Sequence, residues 1–167
     1  MGTDELFPMG WLGKIARLMR TYPVKQDSPD RKALRFTEDL LKRGEAVVIF
    51  PEGHVSPHGK LFPLQGGVIM MALRAGVPIV PVGIRNTEQM MPYRTFKLKR
   101  PTSPLEVIYG VPLTPEELSG GMKGRAAIDH GTQKLTAAIL ALSGQELSDQ
   151  PWSIEMTGRE DTPKSVA

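Results

Sequence analysis

Val47-Val48-Ile49-Phe50-Pro51-Glu52-Gly53-His54-Val55-Ser56 is the stretch on which the fold turns. With Ala46 before it, 46–50 is a short unbroken apolar run rich in β-branched side chains. Such a run suits a strand buried on both faces of a parallel sheet covered by helices. Pro51 has no N–H for a sheet ladder, so the strand should stop there. Glu52 then stands just past the strand end, and Gly53 permits a sharp turn. In open parallel sheets the ligand crevice lies outside the carboxyl ends of the strands, which makes Glu52 a candidate functional carboxylate. A Pro-Glu-Gly on its own also fits a loop glutamate that caps the next element.

On the N-terminal side, Tyr22-Pro23-Val24 reads as a short strand. Ser28-Pro29-Asp30 opens a helix, with Ser28 as cap, Pro29 at the first helical position and Asp30 at the positive end of the dipole. Ala33, Phe36, Thr37, Leu40 and Leu41 form its buried face, and Gly44 ends it. Strand, helix, strand predicts a parallel crossover into 46–50. On the C-terminal side, Gly66-Gly67 opens a helix to about Ala75, whose N-terminus would attract phosphate; the glycines equally permit close packing. Residues 78–84 supply a strand that Pro78 and Pro81 make irregular or an edge, and 105–109 a further strand. Thr114-Pro115-Glu116-Glu117 is a capping box. Residues 124–143 form an amphipathic helix with Ile128, Gly131, Leu135, Ala138, Ile139 and Leu142 on one face. The expected fold is therefore α/β, a mixed, largely parallel sheet flanked by helices. One domain is expected over 1–143, followed by a mobile tail over 144–167.

Composition narrows the function classes. The chain has 167 residues, no cysteine and only three histidines, His54, His58 and His130. That excludes disulfides and thiol chemistry, and no metal site is expected. No run approaches the length of a membrane span, and Met1-Gly2-Thr3-Asp4-Glu5 lacks the basic start of a secretory leader. The net charge of +3 permits an anionic partner. Residues 8–20 place Trp11, Leu12, Ile15, Leu18 and Met19 opposite Lys14, Arg17 and Arg20, a pattern for a helix on a sheet or on a membrane surface. In 89–101, Arg94, Lys97, Lys99 and Arg100 interleave with Met90, Met91, Tyr93, Phe96 and Leu98. No nucleic-acid module accompanies them, so a membrane surface is the expected contact.

Phe50-Pro51-Glu52-Gly53, then Ser56, Gly59-Lys60-Leu61, Gly66-Gly67 and Val77-Pro78-Ile79-Val80-Pro81-Val82 follow in a telling order. In that order and spacing the chain resembles the glycerolipid O-acyltransferases, the family that includes lysophosphatidic acid acyltransferases, from about Glu5 to about Leu118. The resemblance implies acyl transfer from acyl-CoA or acyl carrier protein, with no resident cofactor, to a lysophospholipid or glycerol-phosphate hydroxyl. It implies a cytoplasmic protein held peripherally at an anionic membrane. It makes Phe50, Pro51, Glu52, Gly53, His54, Ser56, Gln26 and Lys60 the acceptor-binding residues.

The chain departs from that family in three places. The family's His-x4-Asp motif, whose histidine is the general base and whose aspartate orients it, has no counterpart: the residues five after His54, His58 and His130 are Gly59, Pro63 and Leu135. No catalytic residue is identifiable, and His54 is the one substitute base. The family-like region starts where that motif should already have passed, so the chain is expected to be N-terminally incomplete. Gln26 and Val55 stand where the family carries phosphate-binding arginines, and neither reproduces a guanidinium fork; Lys25, Lys60 or Arg85 would have to supply the charge. The competing reading is a non-catalytic remnant that binds lipid or a partner chain. An incomplete sheet is expected to leave apolar surface exposed and to promote oligomers.

Overall fold

The computed structural model describes residues 2–3, 14, 18, 21–24, 30–54, 56, 59–90 and 99–149. In chain order these contain β1 (Gly2–Thr3), β2 (Pro23–Val24), α1 (Arg31–Lys42), α2 (Gly67–Ala75), β3 (Val82–Arg85), α3 (Thr87–Met90), β4 (Glu106–Tyr109), α4 (Pro115–Ser119) and α5 (Gly124–Ser143).

The helices start and stop for local reasons. Asp30 is the N-cap of α1: its carboxylate accepts the N–H groups of Lys32 and Ala33 at 3.1 and 3.0 Å. Beyond Arg43, Gly44 and Glu45 return N–H groups to Leu41 and Leu40, closing the helix. Ser28 and Pro29, expected to open it, lie outside the described residues. Ala33 and Thr37 are buried, whereas Phe36 is about half exposed and stacks edge-on with Tyr22. Thr114 and Glu117 form the expected capping box of α4. In α5, Gly131, Leu135 and Ile139 are buried. They meet Leu61, Leu64, Ile69, Ala72 and Leu118 in one core built by α2, α4, α5 and the segment before α2. Arg74 of α2 pairs with Glu38 of α1 at 3.1 Å across the helix contact.

Among the described residues the expected largely parallel sheet is absent, and they form a small, mostly helical α/β arrangement. Its four-residue ladder is an open antiparallel pair, β3 with β4, in the register Val82↔Tyr109 to Arg85↔Glu106. The parallel pairing among the described strands is the two-residue contact of β1 with β2, in a separate sheet. Residues 46–50 belong to no strand, so the crossover predicted through them does not form. The physical reason is that a β-branched run has the composition of a strand, but strand formation is settled by pairing and packing. Here Val48 and Phe50 are 74% and 65% exposed, not buried on both faces.

The β3–β4 ribbon is covered on one side. A Cβ on Gly83 would fall 2.6 Å from Leu142 of α5, so that glycine lets the helix touch the ribbon backbone. On the other side, Ile84 of β3, Val107 and Tyr109 of β4, and the flanking Val80, Leu105 and Val111 are all exposed. Of 8–20, Lys14 and Leu18 are described. Both are exposed, including Leu18, which had been placed on the apolar stripe. Residues 91–98 and 150–167 lie outside the description, as do the side chains of 23 and 24. No described helix is long and apolar enough to cross a membrane.

Candidate functional site

The loop that follows 46–50 is pinned from three directions. The Gly53 N–H donates to Phe50 O at 3.2 Å, closing a tight turn, and the Gln65 N–H donates to Pro51 O at 2.9 Å. The Phe62 N–H donates to Glu52 Oε2 at 2.8 Å. Gly53 has φ of +76°, and a Cβ there would meet Gln65 Nε2 at 2.6 Å. The backbone angle therefore favours glycine, while the flexible end of the Gln65 side chain could move aside. Sequence reading had found the turn from Pro51 and Gly53; its partner wall, Phe62 to Gln65, carries no motif of its own and was missed.

Glu52 is partly buried, and that burial pushes its carboxyl above the ordinary range; the Phe62 N–H pulls weakly the other way. A carboxylate in this state binds a proton, or a hydroxyl donor, more readily than a solvated one does. Ser56 Oγ, four residues on, is buried without a hydrogen-bond partner. Pro51, Gly53 and His54 are half-buried beside Glu52, and Phe50 is exposed. The carboxylate thus stands on a hydrogen-bonded turn at 50–53, and the unsatisfied hydroxyl four residues after it.

Gln65 connects this loop to the start of α2. Gly66 and Gly67 line an open cavity of about 500 Å³ with Leu64, Met70, Arg125, Ile128, Asp129 and Thr132. Arg125 at its wall is tied to Asp129, Nε to Oδ1 at 2.8 Å. That pair was visible in the sequence at helical spacing on 124–143, and it was overlooked. The two described cations considered as replacements for the family's arginines are otherwise engaged. Lys60 pairs with Glu146 at 3.2 Å. Arg85 donates from Nε to Leu142 O at 2.8 Å and faces Glu106 at 3.6 Å. Lys25, Gln26 and Val55 lie outside the described residues. Among the described residues no group of three or more His, Asp or Glu side chains could hold a metal ion.

The family model described as Acyltransferase matches residues 1–85, just over half of the 167-residue chain. The chain belongs to the acyltransferase family. It is 33% identical over 89 residues to a chloroplastic 1-acyl-sn-glycerol-3-phosphate acyltransferase of Brassica napus, covering 52% of this chain and 26% of that protein. It is 32% identical over 81 residues to the 1-acyl-sn-glycerol-3-phosphate acyltransferase of Bacillus subtilis, covering 48% of this chain and 40% of that protein. In fold it is similar to the crystal structure of the 1-acyl-sn-glycerophosphate acyltransferase PlsC of Thermotoga maritima, with a TM-score of 0.60 at 22% identity over 83% of this chain and 52% of that one. The chain therefore spans well under half the length of these two curated relatives and about half of the solved structure.

Proposed function

We propose that this chain is the acceptor-binding part of a glycerolipid acyltransferase of phospholipid biosynthesis. In the intact reaction a glycerolipid hydroxyl attacks the carbonyl of an acyl thioester, from acyl-CoA or acyl carrier protein. The hydroxyl proton passes to a base, and the thiol leaves. The acceptor is a lysophosphatidate or a related glycerol-phosphate compound, taken up at an anionic membrane surface. The observation that carries this reading is the pinned Glu52 carboxylate, held by Phe62 and raised in proton affinity; the buried, unpartnered hydroxyl of Ser56 lies four residues further along the chain. A carboxylate so placed can accept a hydrogen bond from an acceptor hydroxyl and orient it for attack. Phe50, Pro51, Gly53 and His54 shape the loop, while Gly66 and Gly67 border a cavity at the start of α2.

The base in this reading is not in the chain, since no His-x4-Asp occurs in it. Losing a general base costs about 10²–10⁴ in rate. The 167-residue chain is expected to release no thiol from long-chain acyl-CoA or acyl carrier protein with any of several lysolipids. It should nevertheless bind lysophosphatidate, and Glu52→Ala should weaken that binding by about tenfold or more. Turnover abolished by His54→Ala would instead make His54 the base. Binding indifferent to Glu52 would remove the acceptor-site reading.

A second reading, a non-catalytic lipid- or partner-binding chain, is favoured by one specific observation, the exposed apolar face of the β3–β4 ribbon. Lys99 and Arg100 are also exposed. Neutralising Arg94, Lys97, Lys99 and Arg100 together should reduce sedimentation with anionic vesicles at low salt, at roughly 1 kcal/mol per charge.

A further inference from the structure

The chain beyond α5 does not leave the domain at once. Gly144, with φ of +70°, turns it back, and the Gln145 N–H donates to Ser143 Oγ at 3.2 Å. Residues 145–148 then run beside 59–61. Leu61 N–H donates to Glu146 O at 2.9 Å, and Ser148 N–H donates to Leu61 O at 2.8 Å, a parallel bridge of Leu61 with Leu147. Side chains add two clasps: Gln145 Nε2 donates to Gly59 O at 2.8 Å, and Lys60 pairs with Glu146 at 3.2 Å. The near end of this segment is itself anchored, because Arg85 holds the carbonyl of Leu142 at the C-terminus of α5.

One peptide unit joins this segment to the candidate site. The Leu61 carbonyl that Ser148 holds and the Phe62 N–H that holds Glu52 belong to the same planar group. In a trans peptide they point in opposite directions, so fixing the carbonyl fixes the direction of the N–H. Leu61 and Phe62 are both buried, which leaves water no ready way to replace either partner. We propose that residues 145–148 are a strap that positions Glu52 through the Leu61–Phe62 peptide, with Ser148 its principal positioning residue. The geometric coupling stands apart from the acyltransferase reading; its consequence for acceptor binding rests on that reading.

The strap is tested in the full 167-residue chain by NMR. Ser148→Pro deletes the donor to Leu61, while Ser148→Ala keeps it. In Ser148→Pro the Phe62 amide should exchange about tenfold faster or more, with the amides of Ile69 and Leu135 unchanged. The Phe62 amide shift should also lose the pH dependence that Glu52 confers on it across their hydrogen bond. Ser148→Ala should match the wild type in both. Equal Phe62 exchange in Ser148→Pro and wild type overturns the proposal. If Ser148→Pro loosens the core as a whole, the double variant Gln145→Ala/Glu146→Ala decides. It removes both side-chain clasps and keeps every backbone donor, so it should quicken Phe62 exchange severalfold; no change there also overturns the strap. Titration with lysophosphatidate separates the two ideas. Wild type that fails to bind it removes the acceptor-site reading, while Phe62 exchange still decides the strap.

Discussion

Helices α2, α4 and α5 bury their apolar residues, with Ile69 and Leu118 fully covered, whereas Val107 and Tyr109 on the ribbon's outer face are 57% and 72% exposed. The difference follows from where each element finds its hydrogen bonds. A helix satisfies its interior backbone within itself and needs only one apolar stripe covered. Three such stripes cover each other here. A strand takes its hydrogen bonds from neighbours and shows two faces, so two strands against one helix leave a face over. The apolar outer residues of β4 therefore mark unfilled contact, whereas those of α2 mark completed contact.

Substitution should separate the two regions sharply. Ile69→Ala removes a fully buried side chain and is expected to cost about 2–5 kcal/mol, a fall in Tm of very roughly 2–4 °C per kcal/mol. Val107→Thr, on the open face, should stay within about 0.5 kcal/mol. Urea or thermal melts of the two variants measure the contrast directly. Comparable losses would mean that the outer face is covered in solution.

Next in size is self-association. Contiguous exposed β-branched and aromatic residues beside an open ladder edge favour pairing between chains. The wild-type chain is expected to sediment above monomer mass in a concentration-dependent way. Val107→Thr with Tyr109→Thr and Val111→Thr should shift it toward the monomer while keeping strand propensity. A wild type that stays monomeric throughout would show that this face alone does not drive association.

The same contrast explains what could be read in the sequence. The helices were legible because their signals are local: Thr114 with Glu117, the 3.6-residue spacing through Leu135 and Ile139, and the glycine at 44. The strands expected in 78–84 and 105–109 were legible, but the pairing of the sheet was not, because the apolar run 46–50 states a preference for pairing and says nothing of whether a partner is there. At the candidate site, Pro51, Glu52 and Gly53 stand out in the sequence by their own chemistry. Phe62 and Gln65 were missed because backbone N–H groups act there, and any residue type supplies one. The strap at 145–148 was hidden for the same reason, in a polar stretch expected to be mobile.

The smallest expected effect compares two glutamates that make the same bond. Glu52 accepts the Phe62 N–H and Glu117 accepts the Thr114 N–H, each at 2.8 Å. Burial decides which way each titrates. Glu117 is solvent-exposed, so the hydrogen bond wins and its carboxyl is held below the ordinary range. Glu52 loses more to desolvation than the bond returns, and its carboxyl is raised above the ordinary range. The linkage therefore has opposite signs. Glu52 contributes stability that is fully present below the unfolded value and is lost as pH rises through the folded one. Glu117 contributes stability that is present above the unfolded value and is lost as pH falls through the folded one. Glutamine at either position can still accept the N–H but carries no charge. Glu52→Gln should accordingly melt higher than wild type at pH 7, with the gap closing toward pH 4, while lysophosphatidate binding weakens. Glu117→Gln should melt lower than wild type at pH 7, with the gap likewise closing in acid. Melting curves of the three proteins from pH 4 to pH 7 measure both signs. A Glu52→Gln variant that melts below wild type at neutral pH would place that carboxylate in water, and with it the loop it is supposed to organise.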